Sequence, residues 1–202
     1  MYYYQPSNPF TSTTVIEKSK FIASLSFVAN ESDAKSSIEL IKKNHAKANH
    51  NCYAYIVLDK NNNLVMNQSD DGEPSKTAGL PILEQLRHAN MLNTLAVVTR
   101  YFGGTLLGTG GLIRAYSGVI KDGLTKVELT PVELLKGYKV TTDYTSAKHL
   151  EYLLNKQQTK IYDIEYHHAV TFEIYTNNPT LLEVITSINR ESIIQPIAER
   201  WI

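Results

Sequence analysis

Cysteine is almost absent from this chain of 202 residues, in which Cys52 is the only one. A single cysteine excludes an intramolecular disulfide and is typical of proteins that fold in a reducing compartment. No uncharged apolar stretch in the sequence is long enough to span a bilayer. The amino-terminal sequence MYYYQPSNPF also lacks the basic start and the apolar run of a signal peptide. We therefore expect a cytoplasmic protein with no membrane contact.

The chain also has no excess of positive or negative charge, because 20 Lys and Arg residues balance 20 Asp and Glu residues. A net charge of zero argues against a protein that coats nucleic acid or anionic membranes by bulk charge, although it leaves room for a local basic groove. With 43% hydrophobic and 20% charged residues, the composition is that of a globular protein. A chain of this length can bury a substantial core without disulfides.

Glycine is scarce in the last third of the chain, and this scarcity divides the sequence into two parts. Nine of the ten glycines lie before residue 130, and only Gly137 lies after it. We place a boundary in the segment TPVEL, where a proline interrupts the pattern. The predicted domains are residues 1–130, with long glycine-marked loops, and residues 131–202, with short regular elements.

In the first part, the pattern of β-branched and aromatic residues predicts strands in TTVIEKSKFIASLSFV, NCYAYIVLD, LVMNQ and TLAVVTRYF. Its predicted helices lie in SDAKSSIELIKKNHA, KTAGLPILEQLRHAN and GGLIRAYSGVIKDGLTKV. Ser32 is the expected N-cap of the first helix, and the third helix is amphipathic.

The second part alternates between strand and helix patterns. We predict a strand in LLKGYKVTTDY, a helix in TSAKHLEYLLNKQQ and a strand pair in KIYDIEYHHAVTFEIYT. A helix in NPTLLEVITSINRES and a strand in IIQPIAERWI follow. We expect a cap-type residue at the start of the helix in TSAKHLEYLLNKQQ and a turn at His167 and His168. The order β-α-β-β-α-β is the ferredoxin-like arrangement, so the predicted fold class is α+β.

The segment SDDGEPSKTAG, residues 69–79, places Asp70, Asp71 and Glu73 around a glycine. Carboxylates this close together suit Mg²⁺ or Ca²⁺, although their spacing is not that of an EF-hand loop. They can also cap the helix expected near Thr77, where the helix dipole favours negative charge. Asp-Gly followed by Glu-Pro is a turn signature in its own right. We rank turn and cap first, a binding surface second and a metal site third.

A glycine-rich segment, RYFGGTLLGTGGLIRAYSG, joins a predicted strand to a predicted helix. Free amides at such a turn, together with a helix N-terminus, favour an anion. Arg100 and Arg114 flank the loop to hold phosphate, and Tyr101 or Phe102 is placed to stack on a base. The spacing is neither a Walker loop nor a dinucleotide fingerprint. The loop glycines are Gly103, Gly104, Gly108, Gly110 and Gly111.

Glycines also permit positive φ and close packing, which is the structural alternative for this loop. Six glycines between residues 103 and 118 exceed what one turn needs. Their number favours the binding of an anion or a nucleic acid.

The segment HNCYAY places His50 and Cys52 on one face of a strand. A Cys-His pair is capable of nucleophilic catalysis, but no third group that would orient the pair is visible. A lone strand cysteine is more often a small core residue, and the scattered histidines have no zinc-ligand spacing. We therefore predict no catalytic residue at this position.

The chain resembles the YigZ/IMPACT family over roughly residues 18–127. The resemblance lies in three segments, which occur in the order AKANHNCYAY, SDDGEPSKTAGLPIL and VVTRYFGGTLLGTGGLIRAYSGVIKDGL. The resemblance implies a first domain with the left-handed β-α-β fold shared with a ribosomal protein domain, domain IV of elongation factor G and GHMP kinases. It implies a second domain similar to domain V of elongation factor G. It also implies a link to translation, with nucleic-acid binding the usual inference for bacterial members. Lys76 departs from the family pattern, since a small residue is common there, and its charge makes a metal site less expected.

Three functions remain open from the sequence. The leading one is a non-catalytic, cofactor-free protein that binds RNA or the ribosome through the glycine-rich surface. The second is an enzyme or sensor for a nucleotide or phosphorylated small molecule with Mg²⁺, and the third is a module that docks a translation factor. The sequence does not fix the oligomeric state. The candidate binding residues are His50, Cys52, Asp70, Asp71, Glu73, Thr77, Arg100, Tyr101, Phe102, Gly103, Gly104, Gly108, Gly110, Gly111 and Arg114.

Overall fold

A computed structural model describes residues 3–202, and the chain divides into two compact units, Met1–Val132 and Glu133–Ile202. Sheets and helices are both present in each unit, so the predicted α+β class is confirmed. No helix within residues 3–202 is long and apolar enough to cross a membrane.

The first unit is built on a five-stranded antiparallel sheet with the order β2-β3-β6-β4-β5, beside a two-stranded sheet of β1 and β7. Its strands are β1 (Tyr3–Pro6), β2 (Phe10–Ile16), β3 (Ser19–Phe27), β4 (His50–Leu58), β5 (Leu64–Ser69), β6 (Thr94–Tyr101) and β7 (Leu129–Val132). Its helices are α1 (Glu31–Asn44), α2 (Gly79–His88) and α3 (Gly108–Leu124). Seven of the eight residues of β6 are buried, as expected for a central strand that is covered on both faces.

Helices cover both faces of the five-stranded sheet, and β4 shows how the sequence directs this. Tyr55 and Val57 belong to the core cluster under α1, whereas Cys52 contacts Tyr116 of α3. Alternate residues of a strand point to opposite faces, so α1 and α3 lie on opposite sides of the sheet.

The second unit contains β8 (Leu134–Thr142), α4 (Tyr144–Lys156), β9 (Lys160–Tyr166), β10 (Val170–Thr176), α5 (Pro179–Ile188) and β11 (Ile193–Trp201). Its sheet has the order β11-β8-β10-β9, and all neighbours are antiparallel. The predicted β-α-β-β-α-β order is therefore present, with His167 and His168 between β9 and β10. Phe172, Leu150 and Leu181 lie in its own buried core.

The predicted N-cap residues of α1 and α4 are wrong. Helix α1 is capped by Asn30, not Ser32, because Asn30 has extended backbone angles and its side chain accepts a hydrogen bond from the Asp33 amide at 2.9 Å. Helix α4 is capped by Asp143, which accepts from the Ser146 amide at 2.8 Å, and so begins before the predicted segment. In both places several cap-type residues are adjacent, and composition alone does not select among them.

Candidate functional site

A pocket of about 500 Å³ lies where β6 ends and α3 begins. It brings together parts of all three sequence motifs, which are far apart along the chain. The lining residues are Asn49, His50, Gly72, Glu73, Pro74, Arg100, Phe102, Leu106, Leu107, Gly108, Thr109 and Leu112. We call it the β6–α3 pocket.

The N-terminus of α3 forms one wall of the β6–α3 pocket, and no side chain among residues 3–202 caps it. Its N-cap residue, Leu107, makes no side-chain cap hydrogen bond, and the first turn carries no acidic residue. The first amides of a helix have no partner inside it and carry the positive end of its dipole. This wall therefore has backbone amides that can donate hydrogen bonds to an outside acceptor.

Only some of the loop glycines have a packing reason. A Cβ on Gly103 would lie 1.9 Å from the carbonyl oxygen of Lys18, and Gly104 and Gly108 have φ of +90° and +66°. A Cβ on Gly110 would meet only the flexible end of Arg114, at 3.4 Å. Part of the glycine excess is therefore structural, and Gly110 remains without a steric explanation.

A buried ion pair forms the floor of the β6–α3 pocket. Arg100 is 5% exposed and its Nη1 donates to Glu73 Oε1 at 2.6 Å. The Tyr116 hydroxyl donates to the same oxygen at 2.7 Å, and burial raises the pKa of this tyrosine. The sequence predicts that Arg100 is a free phosphate ligand. The structure places it inside the protein, where Glu73 neutralises its charge.

The other two acidic residues of the loop hold its backbone. Asp70 accepts hydrogen bonds at 2.8–3.0 Å from three amides at the start of α2, those of Lys76, Ala78 and Gly79. This is the capping role ranked first in the sequence analysis. The acidic loop thus orders the approach to α2.

Asp71 accepts from Lys42 Nζ at 2.9 Å and from the Asn51 amide at 2.7 Å. The hydrogen bond from Lys42 also raises the pKa of that lysine. At least one oxygen of each of the three carboxylates, Asp70, Asp71 and Glu73, thus accepts a hydrogen bond from the chain itself. Within residues 3–202 no group of three His, Cys, Asp or Glu side chains is arranged to hold a metal.

His50 and Cys52 lie on the same side of β4, but their environments differ. Cys52 is fully buried and donates to the Asp70 carbonyl at 3.0 Å, and burial raises the pKa of its thiol to about 12. Such a thiol is a poor nucleophile because almost none of it is thiolate at neutral pH. The His50 imidazole lines the β6–α3 pocket, and its Nδ1 lies 2.9 Å from the Asp71 carbonyl oxygen.

Phe102 and Tyr101, the two predicted stacking residues, point to different places. Phe102 lines the β6–α3 pocket and is 44% exposed. The Tyr101 hydroxyl is hydrogen-bonded to His45 Nδ1 at 3.0 Å, with Lys20 over its ring. Phe102 is therefore the aromatic residue of the pocket.

Arg114 and Thr77 also lie outside the β6–α3 pocket. Arg114 lines a neighbouring pocket of about 470 Å³ with Glu17, and Leu106 and Leu107 lie between the two pockets because they line both. Thr77 is buried, and its hydroxyl donates to the Pro74 carbonyl at 2.7 Å.

Sequence reasoning missed several apolar residues of the β6–α3 pocket. Leu106 lines the pocket and is 87% exposed, so it lies on the rim. The paired leucines in GGTLLGTGG carried the available signal, since an apolar pair inside a glycine-rich turn has no helix or strand face to pack on.

Comparisons with known proteins agree with the resemblance. The model of the Impact N-terminal domain family matches residues 17–124. The IMPACT family member YvyE of Bacillus subtilis is 44% identical over 161 residues, which cover 80% of this chain and 73% of that protein. The IMPACT family member YigZ of Escherichia coli is 34% identical over 169 residues, with coverage of 84% and 83%.

A solved crystal structure of a hypothetical protein matches with a TM-score of 0.73 and 30% identity over 98% of both chains. The structural match spans both units, and the sequence matches extend beyond the first. The chain therefore belongs to the IMPACT family.

Proposed function

We propose that this protein is a non-catalytic, translation-linked protein that binds single-stranded RNA in the β6–α3 pocket. The observation that carries the proposal is that the uncapped N-terminus of α3 and a partly exposed phenylalanine line the same pocket. A helix N-terminus can contact phosphate oxygens, and an aromatic side chain can stack on a base of any sequence.

The phosphate contact is assigned to the first turn of α3. Gly108 and Thr109 line the pocket, and Gly110 is the next residue of the same helical turn. Backbone amides at a helix N-terminus bind phosphate oxygens without any lysine or arginine. This explains how a protein of zero net charge would bind an anion.

The base contact is assigned to Phe102. The guanidinium carbon of Arg100 lies 5.6 Å from the centre of the Phe102 ring and helps to hold it in place. Stacking of a base on an aromatic side chain contributes about 1–3 kcal/mol. Since few cationic side chains take part, the affinity should depend only weakly on salt.

Fluorescence anisotropy with a labelled single-stranded RNA of mixed sequence tests the proposal. Phe102→Ala should weaken binding by about tenfold or more, in line with the loss of one stacked base. Phe27→Ala is the matched control, because Phe27 is 47% exposed at the end of β3 and does not line the pocket. Equal affinity of the wild type and both variants, or no binding by any of them, would reject this placement.

The link to translation comes from the family resemblance, and ribosomal RNA is the natural source of such a ligand. A translation factor is the competing partner. Co-purification from cytosol separates the two, because partners that are lost on ribonuclease treatment support the RNA proposal. Partners that persist after that treatment would support protein docking instead.

A free nucleotide is a second candidate ligand, because a volume of about 500 Å³ lies within the usual range for small-molecule pockets. Thermal unfolding with a panel of nucleotides, with and without Mg²⁺, checks this. An upward shift of Tm with one nucleotide that competes with RNA would favour it, and an unchanged Tm would count against it.

A further inference from the structure

Glu73 presents one of its two carboxylate oxygens to the β6–α3 pocket without a partner. Its Oε1 accepts from Arg100 Nη1 at 2.6 Å and from the Tyr116 hydroxyl at 2.7 Å. Its Oε2 receives no hydrogen bond from residues 3–202 and lies 3.9 Å from His50 Nε2. The glutamate is therefore held rigidly by one oxygen while the other remains an available acceptor.

His50 presents a second acceptor beside it. Its Nδ1 lies 2.9 Å from the Asp71 carbonyl oxygen, which can only accept a hydrogen bond. Nδ1 must therefore carry the proton, and in the neutral imidazole Nε2 is then an acceptor. A separation of 3.9 Å between Nε2 and Glu73 Oε2 is too long for a hydrogen bond between the two side chains.

Because two hydrogen-bond acceptors lie side by side on the pocket wall, a matching ligand must supply a hydrogen-bond donor. Both residues line the same pocket as Gly108 and Thr109 at the α3 N-terminus. A ligand that fills the pocket thus needs acceptor oxygens at one end and a hydrogen-bond donor at the other. Ribonucleotides have this combination, because the 2′-hydroxyl lies on the sugar next to the phosphate and can donate a hydrogen bond.

We propose that Glu73 Oε2 and His50 Nε2 recognise the ribose 2′-hydroxyl, whose single proton the two acceptors, 3.9 Å apart, share in a three-centre hydrogen bond, so that the β6–α3 pocket selects RNA over DNA. This inference rests on the proposed RNA binding and specifies its chemistry. A deoxyribose would leave the two acceptors facing a carbon-bound hydrogen, with the desolvation cost of unpaired polar groups. A 2′-O-methyl ribose would bring only an acceptor and should be disfavoured in the same way.

Binding of three labelled oligonucleotides of one sequence, as RNA, DNA and 2′-O-methyl RNA, tests the inference on the full chain. We expect RNA to bind about tenfold tighter than either analogue, the size expected for one hydrogen bond to a charged acceptor. Equal affinity for RNA and DNA would overturn the inference and leave the proposed RNA binding intact. Absence of binding to all three would overturn both.

Two substitutions at one position assign the selectivity to the pocket. Asn in place of His50 keeps a hydrogen-bond donor for the Asp71 carbonyl at the Nδ1 position, but it has no atom at the Nε2 position. Gln in place of His50 puts a hydrogen-bond acceptor near the Nε2 position. His50→Asn should lower the ratio of RNA to DNA affinity, and His50→Gln should largely restore it. A ratio that neither substitution changes would overturn the role of His50, and thermal unfolding of each variant verifies that it is folded.

Discussion

At the scale of single residues, the Arg100–Glu73 ion pair on the floor of the β6–α3 pocket is buried. The two side chains are 6% and 4% exposed. Glu73→Gln removes the negative charge while keeping the shape, and leaves the Arg100 charge buried without its partner. Removing one partner of a buried ion pair costs about 3–5 kcal/mol, so the free energy of unfolding in urea should fall by about this amount.

The exposed Lys126–Asp122 pair provides the control for that measurement. Its side chains are 55% and 46% exposed, and surface pairs contribute about 0–1 kcal/mol. Lys126→Ala should therefore change the free energy of unfolding very little. Similar losses in both variants would show that the ion pair on the pocket floor is no more important than a surface pair.

Cys52 should be inert toward thiol reagents while the protein is folded. Burial raises the pKa of its thiol from the ordinary 9.0 to about 12, which lowers the thiolate fraction at pH 8 by about a thousandfold. Ellman's reagent should react with the native protein far more slowly than with the urea-unfolded chain. Equal rates under the two conditions would contradict the buried environment.

The same shift of the Cys52 pKa makes stability depend on alkaline pH. The folded-state pKa is higher than the unfolded-state value, so the neutral thiol stabilises the fold fully below about pH 9. This contribution is lost as the pH rises from 9 towards 12. The Cys52→Ala variant should show a weaker dependence of stability on pH across that interval.

Substitution by alanine should lower the stability of the protein at Gly103 and raise it at Gly118. A Cβ on Gly103 would lie 1.9 Å from a backbone oxygen of Lys18, which is too close to be tolerated without movement of the chain. A Cβ on Gly118 meets nothing within 4 Å in the middle of α3, and Gly→Ala in an exposed helix stabilises by about 0.5–1 kcal/mol. Thermal unfolding should thus give a lower Tm for Gly103→Ala and a higher one for Gly118→Ala.

At the scale of elements, the cap of α1 is the clearest difference between sequence and structure. Asn30→Ala should cost about 1 kcal/mol, because its side chain binds the Asp33 amide at 2.9 Å. Ser32→Ala should be nearly neutral, since Ser32 lies within the first turn. A larger loss of stability at Ser32 than at Asn30 would restore the assignment made from the sequence.

Element type was predictable where the hydrophobic period was long, and element boundaries were less so. The buried run TLAVVTRY is a strand at the centre of the sheet, and the apolar face of α3 lies in the core. The starts of α1 and α4 depended on which of several neighbouring polar side chains reaches an amide. That choice is made by backbone angles, which composition does not determine.

At the scale of the whole molecule, the family and the α+β class could be predicted from motifs and periodicity. Which charged and aromatic side chains are available to a ligand at the site could not. Arg100 looks like a free cation in the sequence, because its partner Glu73 is 27 residues away and reaches it only through the fold. Phe102 and Tyr101 likewise look equivalent until the strand places them on different sides. Pairing across the sheet decides which charges and rings remain available to a ligand.

RNA binding by Gly110→Ala, compared with Gly118→Ala, tests the central claim most directly. Both substitutions add one methyl group to an exposed position of α3, but only Gly110 lies in the first turn, where phosphate is proposed to bind. The account predicts that Gly110→Ala weakens RNA binding by about tenfold without loss of thermal stability, while Gly118→Ala binds as the wild type does. Unchanged affinity in Gly110→Ala would contradict the account.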